Sequence, residues 1–502
     1  MKKIFSLLIT IALLSSCTEE KKETSFELGE VSISGTIENY ADNDTISKIA
    51  FYSKNIFKLE QYQTHESDVD SLGNFSVRFK IPNTQALFFY FGNNGGNLFV
   101  SPNQTMKISF DGNAKDRQGV MESLSIEGES STINELYTTY MVNDPIDYKN
   151  YYKDFTSRKT PEAAYSFVDS VYSMKNEYID AFIKGNNLPE ELINWLAVEK
   201  EVKPITELLQ YLLFYYRPTP DSKDKTLEEN FGKKYLEKIN NLPIISKKSF
   251  VNEQIYTVLP NYYAPFLRQL VMSKYGTKNY KKSDSLLYKK ELLLDIKNPL
   301  LTEILFYDRL KVTLNNNDLK FYEDNKAVID SVFKNTMYEA SIQKHYTSVK
   351  NLLESPDLPK DTELLSIEAT DGKEILNEII KNANGKVVYI DNWATWCGPC
   401  KQQFKEATPK LKKEFGKNVE FIYLCHQSNE KLYKPTIAQY QIGGKHYFMS
   451  KEQTKNLIDV LSITGFPTYN IINKKGKLVH SGFEYRPSES ITRKIMSELV
   501  AE

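Results

Sequence analysis

Cysteine and net charge are both scarce in this chain, and long apolar runs are absent from its interior. Four cysteines among 502 residues cannot form the dense disulfide framework of small exported domains. Lysine and arginine number 64 against 65 aspartates and glutamates, so the formal net charge of -1 gives no electrostatic basis for binding nucleic acid. No run beyond the N-terminus is long enough to cross a membrane as a helix. The composition therefore excludes a disulfide-stapled scaffold and a basic nucleic-acid binder.

The N-terminal residues are typical of an exported lipoprotein. Two lysines follow Met1, and the apolar run Ile4–Leu14 is too short to span a bilayer, as in a signal peptide. Leu14-Ser15-Ser16-Cys17 resembles a bacterial lipobox, which implies cleavage before Cys17 and attachment of lipid to that cysteine. A plain signal peptide followed by a chance cysteine is the alternative. We expect a protein that is lipid-anchored in the bacterial cell envelope and faces the periplasm.

Apolar and polar residues alternate between about Leu28 and Gly112, which is the period of half-buried β-strands. The run Phe75–Ile81 shows this alternation clearly, and turn residues such as Asp70–Asn74 separate successive runs. We predict an N-terminal antiparallel β domain, built as a small sandwich or barrel. Its single histidine, His65, stands alone in the sequence and is interpreted as a surface residue.

The apolar period becomes helical from about residue 131 to residue 353. Thr160 followed by Pro161 is typical of a helix N-cap with proline in the first turn. We predict an all-α middle domain whose aromatic and leucine stripes form its own core. A ligand pocket, or docking of a partner through the tyrosine-rich runs at 214–216 and 261–263, is the alternative. The predicted helices lie at 162–183, 205–213, 250–275, 283–296 and 300–314.

A proline-rich segment, Glu354–Lys360, is the predicted linker to a C-terminal domain. Strand and helix patterns alternate after it, which favours a parallel sheet covered by helices. The predicted strands lie at 364–369, 386–391, 419–425, 469–472 and 477–481, with helices at 374–381, 397–415 and 488–500. The predicted divisions of the chain are a signal peptide (1–16), a tether (17–27), a β domain (28–128), a helical domain (129–353) and an α/β domain (354–502).

Two cysteines in this last domain lie only three positions apart, at Cys397 and Cys400. An apolar strand precedes them and a helical pattern begins at the first cysteine, which places both thiols in the first turn of a helix. The N-terminus of a helix carries a partial positive charge and unpaired N–H groups, which favour thiolate over thiol at Cys397. The intervening Gly-Pro permits a tight turn before the helix. We predict a redox-active dithiol that cycles with a disulfide.

The sequence around the cysteines resembles that of a known family. Trp396-Cys-Gly-Pro-Cys400, preceded by Trp393, and the later Gly465-Phe-Pro-Thr468 resemble the two signature segments of thioredoxin-fold proteins. Together with the lipobox, the segment Trp393–Cys397 is most similar to membrane-tethered, TlpA-type thiol-disulfide oxidoreductases. The resemblance covers residues 354–502 and implies an α/β thioredoxin-like fold for them.

The resemblance implies a role for each residue of the two segments. Cys397 is the exposed nucleophile that attacks a partner disulfide, and Cys400 is the resolving thiol that releases the product. Pro467 corresponds to a cis-proline that packs beside the dithiol and leaves the backbone of Phe466 free to pair with substrate. Trp396 lies at the rim of the site and shields the disulfide from water.

Asp391 lies six residues before Cys397, where thioredoxins place a buried carboxylate. The resemblance implies that it takes a proton from Cys400 during resolution. The alternative is an aspartate at a strand end that local hydrogen bonds satisfy. This chain departs from the TlpA-type pattern at 403–405, where Gln-Phe-Lys replaces Glu-Phe-Pro. The missing proline predicts either a straighter helix or a kink moved towards Pro409.

The implied function is exchange of the dithiol with disulfides of exported proteins. The Gly-Pro pair between the cysteines is that of thioredoxin and favours a reductant, which would need an electron donor in the membrane. No cofactor, metal or nucleic acid is expected. A zinc site formed by Cys397, Cys400, Cys425 and His426 is one alternative, disfavoured because Cys425 lies inside an apolar strand. A non-enzymatic lipoprotein that binds a ligand or partner, with the thioredoxin-like domain for docking, is the other.

Overall fold

The computed structural model describes residues 26, 28–40, 47–58, 62–217, 225–243, 245–275 and 299–502. Contacts between Cα atoms divide the chain into two compact units, Met1–Asp308 and Arg309–Glu502. The predicted signal peptide, Cys17 and the helix predicted at 283–296 lie outside the described residues. Among the helices that are described, none is long and apolar enough to cross a membrane. The domain boundaries at 128/129 and 353/354 stay predictions.

Two four-stranded sheets form the β part of the first unit. Their inward-facing residues alternate with outward-facing ones and build one apolar core between the sheets, as in a sandwich. One sheet has the strand order β4-β1-β7-β8 and the other the order β3-β2-β5-β6. The strands are β1 Gly29–Glu38, β2 Lys48–Ser53, β3 Gln63–Asp68, β4 Asn74–Ile81, β5 Gln85–Phe91, β6 Asn94–Val100, β7 Thr105–Asp111 and β8 Ser125–Gly128.

The prediction of a wholly antiparallel β domain is wrong at one strand pair. β1 and β7 run parallel, with Ser32 opposite Thr105. Five strands separate them along the chain, so no hairpin turn constrains their relative direction. His65, interpreted as a surface residue and not a ligand, is only partly exposed. Its ring stacks on Phe79 at 4.1 Å, and its Nε2 lies 2.9 Å from the Ser53 hydroxyl.

Helices follow the sandwich, as predicted from the change of period. The Thr160 hydroxyl accepts a hydrogen bond from the Ala163 N–H, and Pro161 opens the helix. The single helix predicted at 250–275 is wrong, because a π-helical turn, Val258–Tyr263, interrupts it around Pro260, which lacks an N–H. The helices are α1 Arg117–Ser123, α2 Ser131–Val142, α3 Tyr148–Thr156, α4 Pro161–Gly185, α5 Glu190–Glu201, α6 Lys203–Gln210, α7 Leu227–Phe231, α8 Lys233–Asn240, α9 Ile255–Thr257, α10 Ala264–Tyr275 and α11 Pro299–Asn315.

A six-stranded sheet of order β14-β13-β10-β11-β12-β9 organises the second unit. Strands β9 to β12 are parallel, and β13 and β14 are antiparallel to their neighbours. The strands are β9 Thr362–Leu365, β10 Val387–Trp393, β11 Val419–Cys425, β12 Gly444–Phe448, β13 Thr468–Ile472 and β14 Leu478–Gly482. The helices are α12 Lys320–Asp324, α13 Lys326–Phe333, α14 Glu339–Glu354, α15 Gly372–Lys381, α16 Gly398–Glu406, α17 Thr408–Phe415, α18 Glu430–Tyr440, α19 Lys451–Val460 and α20 Ser490–Ala501.

The helix predicted at 397–415 is two helices. α16 ends at Glu406 and α17 begins at Thr408, with Pro409 in the first turn of α17. The kink is therefore displaced towards Pro409, which was one of the two predicted outcomes. β12 and the helices α18 and α19 were not predicted from the sequence.

Strand β10 is buried on both faces and separates two apolar cores. Successive side chains of a strand point to opposite faces. Tyr389 and Trp393 accordingly pack in the core that also contains Cys397 and Cys400, and Ile390 packs in the other core. Asp391 thus faces the dithiol side of the sheet, and Asn392 faces the opposite side.

Candidate active site

The two cysteines form a disulfide at the start of α16, with their Cα atoms 5.4 Å apart. Cys397 is the N-cap residue, and its sulfur accepts a hydrogen bond from the Cys400 N–H at 3.2 Å. After reduction, the same N–H and the helix N-terminus would stabilise a thiolate at Cys397. In the disulfide form Cys397 is only 2% exposed, not the exposed residue expected. Trp396 beside it is 61% exposed, at the rim as the resemblance implies.

The second signature segment lies at the same edge of the sheet as the dithiol. The Phe466–Pro467 peptide bond is cis. Thr468, the next residue, is paired with Asn392 near the carboxyl end of β10, from which the chain continues to Cys397. The rings of Phe466 and Trp396 meet edge to face with their centroids 5.8 Å apart. The register of β10 and β13 therefore brings together the two segments, which are far apart in the sequence.

Asp391 is a buried carboxyl group without a hydrogen-bond partner among the described residues. Its side chain is 1% exposed, and neither oxygen is hydrogen-bonded. Burial raises the pKa of Asp391 well above its ordinary value, because the charged form loses its hydration. The alternative of an aspartate satisfied by local hydrogen bonds is therefore wrong. Tyr423 on β11 and Tyr469 on β13 are the residues opposite Asp391 in the backbone register of the sheet. Their hydroxyl groups are also buried, without a hydrogen-bond partner among the described residues.

A buried polar network on the opposite face of β10 was not predicted from the sequence. It joins Asn392, His426, Thr454 and Asn470 by side-chain hydrogen bonds. A signal for it exists in the sequence, because Asn392 and Asn470 are polar residues inside apolar strands. Such residues need buried partners, although the sequence does not say which ones.

The zinc alternative is not supported. Over the part of the chain that the structure describes, no group of three or more His, Cys, Asp or Glu side chains could hold a metal ion. Cys397 and Cys400 are bonded to each other, and His426 is hydrogen-bonded on both ring nitrogens. Cys425 is buried, and burial raises the pKa of its thiol to about 12. Cys425 is therefore an unreactive core residue at neutral pH.

A cavity of about 790 Å³ lies at the carboxyl ends of β11 and β12. Gln427 and Ser428 form one wall, and both are hydrogen-bonded to the residues that directly precede Cys397. The Trp396 Nε1–H donates to the Gln427 carbonyl at 2.9 Å, and the Thr395 N–H donates to the Ser428 hydroxyl at 2.9 Å. The other lining residues are Glu430, Phe448, Met449, Ser450, Lys451, Thr454, Lys455 and Ile458. Seven of the ten lining residues are polar or charged, and Phe448, Met449 and Ile458 supply the apolar part.

Comparisons with known proteins identify the domain that carries this site. Residues 359–498 match the family model described as Redoxin. A protein described as thiol-disulfide oxidoreductase ResA from a strain of Bacillus cereus is 29% identical over 129 residues, which are 25% of this chain and 69% of the relative. ResA from Bacillus subtilis (strain 168) is 24% identical over 134 residues, 27% of this chain and 69% of the relative.

Among solved structures, the thioredoxin domain of a thiol-disulfide oxidoreductase from Bacteroides vulgatus aligns with 18% identity and a TM-score of 0.22. The alignment covers 24% of this chain and 83% of that chain. The dithiol, the cis-proline segment and the parallel sheet all lie inside the range matched by the family model. Residues 359–498 are therefore a Redoxin domain with the thioredoxin fold, related to proteins named thiol-disulfide oxidoreductases.

Proposed function

We propose that this protein is a thiol-disulfide oxidoreductase tethered to the bacterial envelope membrane through Cys17, and that it reduces disulfides of exported proteins. The observation that carries the proposal is the Cys397–Cys400 disulfide at a helix N-terminus, in a Redoxin domain. A pair so placed can exist both as a dithiol and as a disulfide. The alternative of a binding-only lipoprotein is disfavoured, because the complete redox pair is retained.

Exchange proceeds in two displacement steps. The Cys397 thiolate attacks one sulfur of the substrate disulfide, forms a mixed disulfide and expels one substrate thiolate. Cys400 then attacks the Cys397 sulfur, closes the Cys397–Cys400 disulfide and expels the second substrate thiolate. The enzyme dithiol supplies the two electrons. The two expelled thiolates take up protons from solvent, which balance the protons that Cys397 and Cys400 lose.

In its ionised form, Asp391 is the proposed proton acceptor for Cys400 in the second step. Burial raises the pKa of this carboxyl well above its ordinary value and therefore brings it closer to that of a thiol. Proton exchange between two groups is most efficient when their pKa values are close. Asp391 faces the core that contains Cys400. Its described neighbours in the sheet include no cation that would pair with the carboxylate and lower its pKa.

Insulin reduction driven by dithiothreitol tests the proposed activity. The wild-type chain should accelerate precipitation of the insulin B chain, and Cys397→Ser should reduce the rate to that of dithiothreitol alone. Cys425→Ala is the matched control, because that thiol is buried outside the reacting pair. An inactive wild type, or full activity in Cys397→Ser, would contradict the proposal.

Trapping of intermediates tests the roles of the two cysteines. Cys400→Ser cannot resolve the mixed disulfide, so it should accumulate covalent adducts with exported proteins through Cys397. Cys397→Ser should form none. Non-reducing gel electrophoresis with detection of the chain reads out the adducts. The reverse pattern would mean that Cys400 is the attacking thiol.

The reductant role and the anchor are tested separately. Equilibration of the Cys397–Cys400 pair with mixtures of reduced and oxidised glutathione should leave it oxidised in excess reduced glutathione, as expected for a reductant. A pair that is fully reduced there would instead be an oxidant. Wild-type cells should incorporate labelled palmitate into the chain, and Cys17→Ser should abolish both the label and partition into detergent. A soluble, unlabelled wild type would rule out the anchor.

A further inference from the structure

His426, the residue that follows β11, is hydrogen-bonded through both ring nitrogens and through its backbone N–H. Its Nε2 lies 3.1 Å from Asn392 Oδ1, and its Nδ1 lies 3.2 Å from Thr454 Oγ1. Its backbone N–H donates to the Trp393 carbonyl at 2.8 Å. The side chains of His426, Asn392 and Thr454 are all buried. These bonds connect the carboxyl ends of β10 and β11 with helix α19.

The direction of each hydrogen bond follows from the donors that are available. The Asn392 amide donates to the Thr468 carbonyl at 2.9 Å and to Asn470 Oδ1 at 2.7 Å, which uses both of its protons. Asn392 Oδ1 must therefore accept from His426, so His426 carries its proton on Nε2. Nδ1 then accepts from the Thr454 hydroxyl. Burial lowers the pKa of His426 to about 3, which is consistent with this neutral ring.

The network holds the cis-proline segment from two directions. On one side, the flat face of His426 stacks on the ring of Phe466, with centroids 5.3 Å apart and planes 12° apart. On the other side, Asn392 binds the carbonyl of Thr468. The Thr468 hydroxyl in turn donates to the Gly465 carbonyl at 2.7 Å. Both ends of the four-residue segment Gly465–Thr468 are thus fixed, directly or through one step, to Asn392 and His426.

We propose that His426 is a positioning residue for thiol-disulfide exchange. Through Asn392 and the Phe466 ring, it holds Gly465–Thr468 in the position where a protein substrate docks beside the dithiol. This inference rests on the proposed function and adds a residue to it. Because His426 acts on the docking segment, its loss should weaken binding of a polypeptide. The reactivity of the sulfurs towards a small disulfide, which does not need that segment, should change little.

Two substitutions separate the hydrogen bonds from the stacking contact. His426→Phe keeps a flat ring against Phe466 and removes both ring hydrogen bonds. His426→Gln keeps a donor for Asn392 and removes the ring. We expect KM for insulin to rise about fivefold to tenfold in His426→Phe, the effect of losing one or two neutral hydrogen bonds. His426→Gln should recover part of this loss. His480→Phe is the control, since His480 lies on the edge strand β14.

The readout compares a protein substrate with a small aromatic disulfide, 5,5′-dithiobis(2-nitrobenzoate), under the same conditions. For His426→Phe, kcat for insulin and the rate with the small disulfide should both stay within about twofold of wild type, because the thiol chemistry itself is unaltered. A parallel fall with both substrates would overturn the positioning role. Unchanged kinetics in both His426 variants would overturn it as well.

A third variant guards against misfolding. Thr454→Val removes only the hydroxyl that donates to His426 Nδ1. If His426→Phe does not fold, Thr454→Val should still raise KM for insulin about twofold to fivefold. A Thr454→Val enzyme with wild-type KM would then overturn the proposal. Failure of the proposed function itself would be seen in a different variant. In that case Cys397→Ser would retain insulin-reducing activity, both with His426 and with its substitutions.

Discussion

At the scale of single residues, Asp391 is a buried carboxyl group that no hydrogen bond satisfies among the described residues. A carboxyl without hydrogen bonds in an apolar core destabilises the folded chain, more so when it is ionised. Between its ordinary pKa of 3.8 and the raised pKa of the folded state, the unfolded chain releases this proton and the folded chain keeps it. Stability therefore falls as the pH rises from 3.8 through the raised pKa of the folded state.

Asp391→Asn should accordingly stabilise the oxidised protein at pH 7, by on the order of 1–3 kcal/mol. The gain should shrink towards about pH 3, below the ordinary pKa of 3.8, where aspartate is largely neutral in both states. Urea unfolding at the two pH values measures both effects. Asp371→Asn is the matched control, because Asp371 is an exposed N-cap whose bonds asparagine can keep. A destabilised Asp391→Asn at pH 7 would mean that the carboxylate has a partner in the folded protein.

The same substitution tests the proton-transfer role. Without an acceptor for the Cys400 proton, resolution of the mixed disulfide should slow by about a hundredfold or more, since loss of a general base usually costs between a hundredfold and ten-thousandfold. The initial attack by Cys397 should change much less. Stopped-flow measurement of mixed-disulfide formation and decay separates the two steps. Equal slowing of both steps would mean that Asp391 affects the electrostatics of the whole site and is not the proton acceptor for Cys400.

The sequence predicts the dithiol and, through the resemblance, the cis-proline segment beside it, but not the polar network around His426. Cys397 and Cys400 could be predicted because their chemistry depends on local spacing and on one helix terminus. The partners of His426 could not, because Asn392, Thr454 and Asn470 come together only through the register of β10 with β13 and the position of α19. His426 itself was considered only as a metal ligand. Strand register is a tertiary property, set by packing on both faces of the sheet.

At the scale of elements, a buried lysine joins the helices of the first unit. Lys175 on α4 bonds Asp144 at 2.9 Å, Glu199 on α5 at 3.3 Å and the Tyr148 hydroxyl at 2.8 Å. All three charged side chains are buried. Removing one member of such a set leaves uncompensated charge in the core. The apolar period predicts that these helices form, but only the tertiary structure shows that a polar cluster fixes their packing.

Lys175→Met should therefore destabilise the first unit by about 3–5 kcal/mol, although methionine fits the same space. Lys200→Met removes a comparable pair, Lys200 with Asp180, that is exposed to solvent. Its effect should be about 0–1 kcal/mol, because water screens exposed pairs. Urea unfolding followed by fluorescence of Trp195, which lies on α5, measures both variants. Equal effects of the two substitutions would show that burial of the cluster contributes nothing.

The boundaries of elements were predicted best where apolar periods were uninterrupted. β11 was predicted at 419–425 and spans Val419–Cys425. The helix predicted at 250–275 was wrong because Pro260 changes the hydrogen-bonding pattern without ending the helical path of the chain. The parallel pairing of β1 with β7 was missed because it depends on which strands become neighbours. Local patterns determine elements, and long-range contacts determine their pairing.

At the scale of the whole molecule, each unit contains wholly or partly buried groups with opposite responses to acid. Burial lowers the pKa of His426 and His446 to about 3 in the second unit and that of the half-buried His65 to about 4 in the first. Burial raises the pKa of Asp391, and burial followed by the charge of Glu199 raises that of Glu253 to about 7. Acidification from neutral pH destabilises the folded state through the histidines and stabilises it through the carboxyls.

These opposing contributions make the pH profile of the wild type flatter than either set of groups alone would give, so variants are needed to separate them. For His446, the unfolded chain gains a proton below its ordinary pKa of 6.5, and the folded chain stays neutral until about 3. Between these values stability falls with falling pH, by about 2 kcal/mol at pH 5 from this one residue. Removal of the imidazole should therefore reduce the acid sensitivity of the second unit.

His446→Gln is the informative variant, because glutamine can still donate to the Ile442 carbonyl that His446 bonds at 2.9 Å. Between pH 7 and pH 5 it should lose about 2 kcal/mol less unfolding free energy than the wild type. Asp391→Asn should lose more than the wild type over the same interval, because the opposing carboxyl is gone. Urea unfolding followed by fluorescence of Trp393 and Trp396 reports on this unit. Identical pH slopes in the three proteins would show that neither group titrates differently on folding.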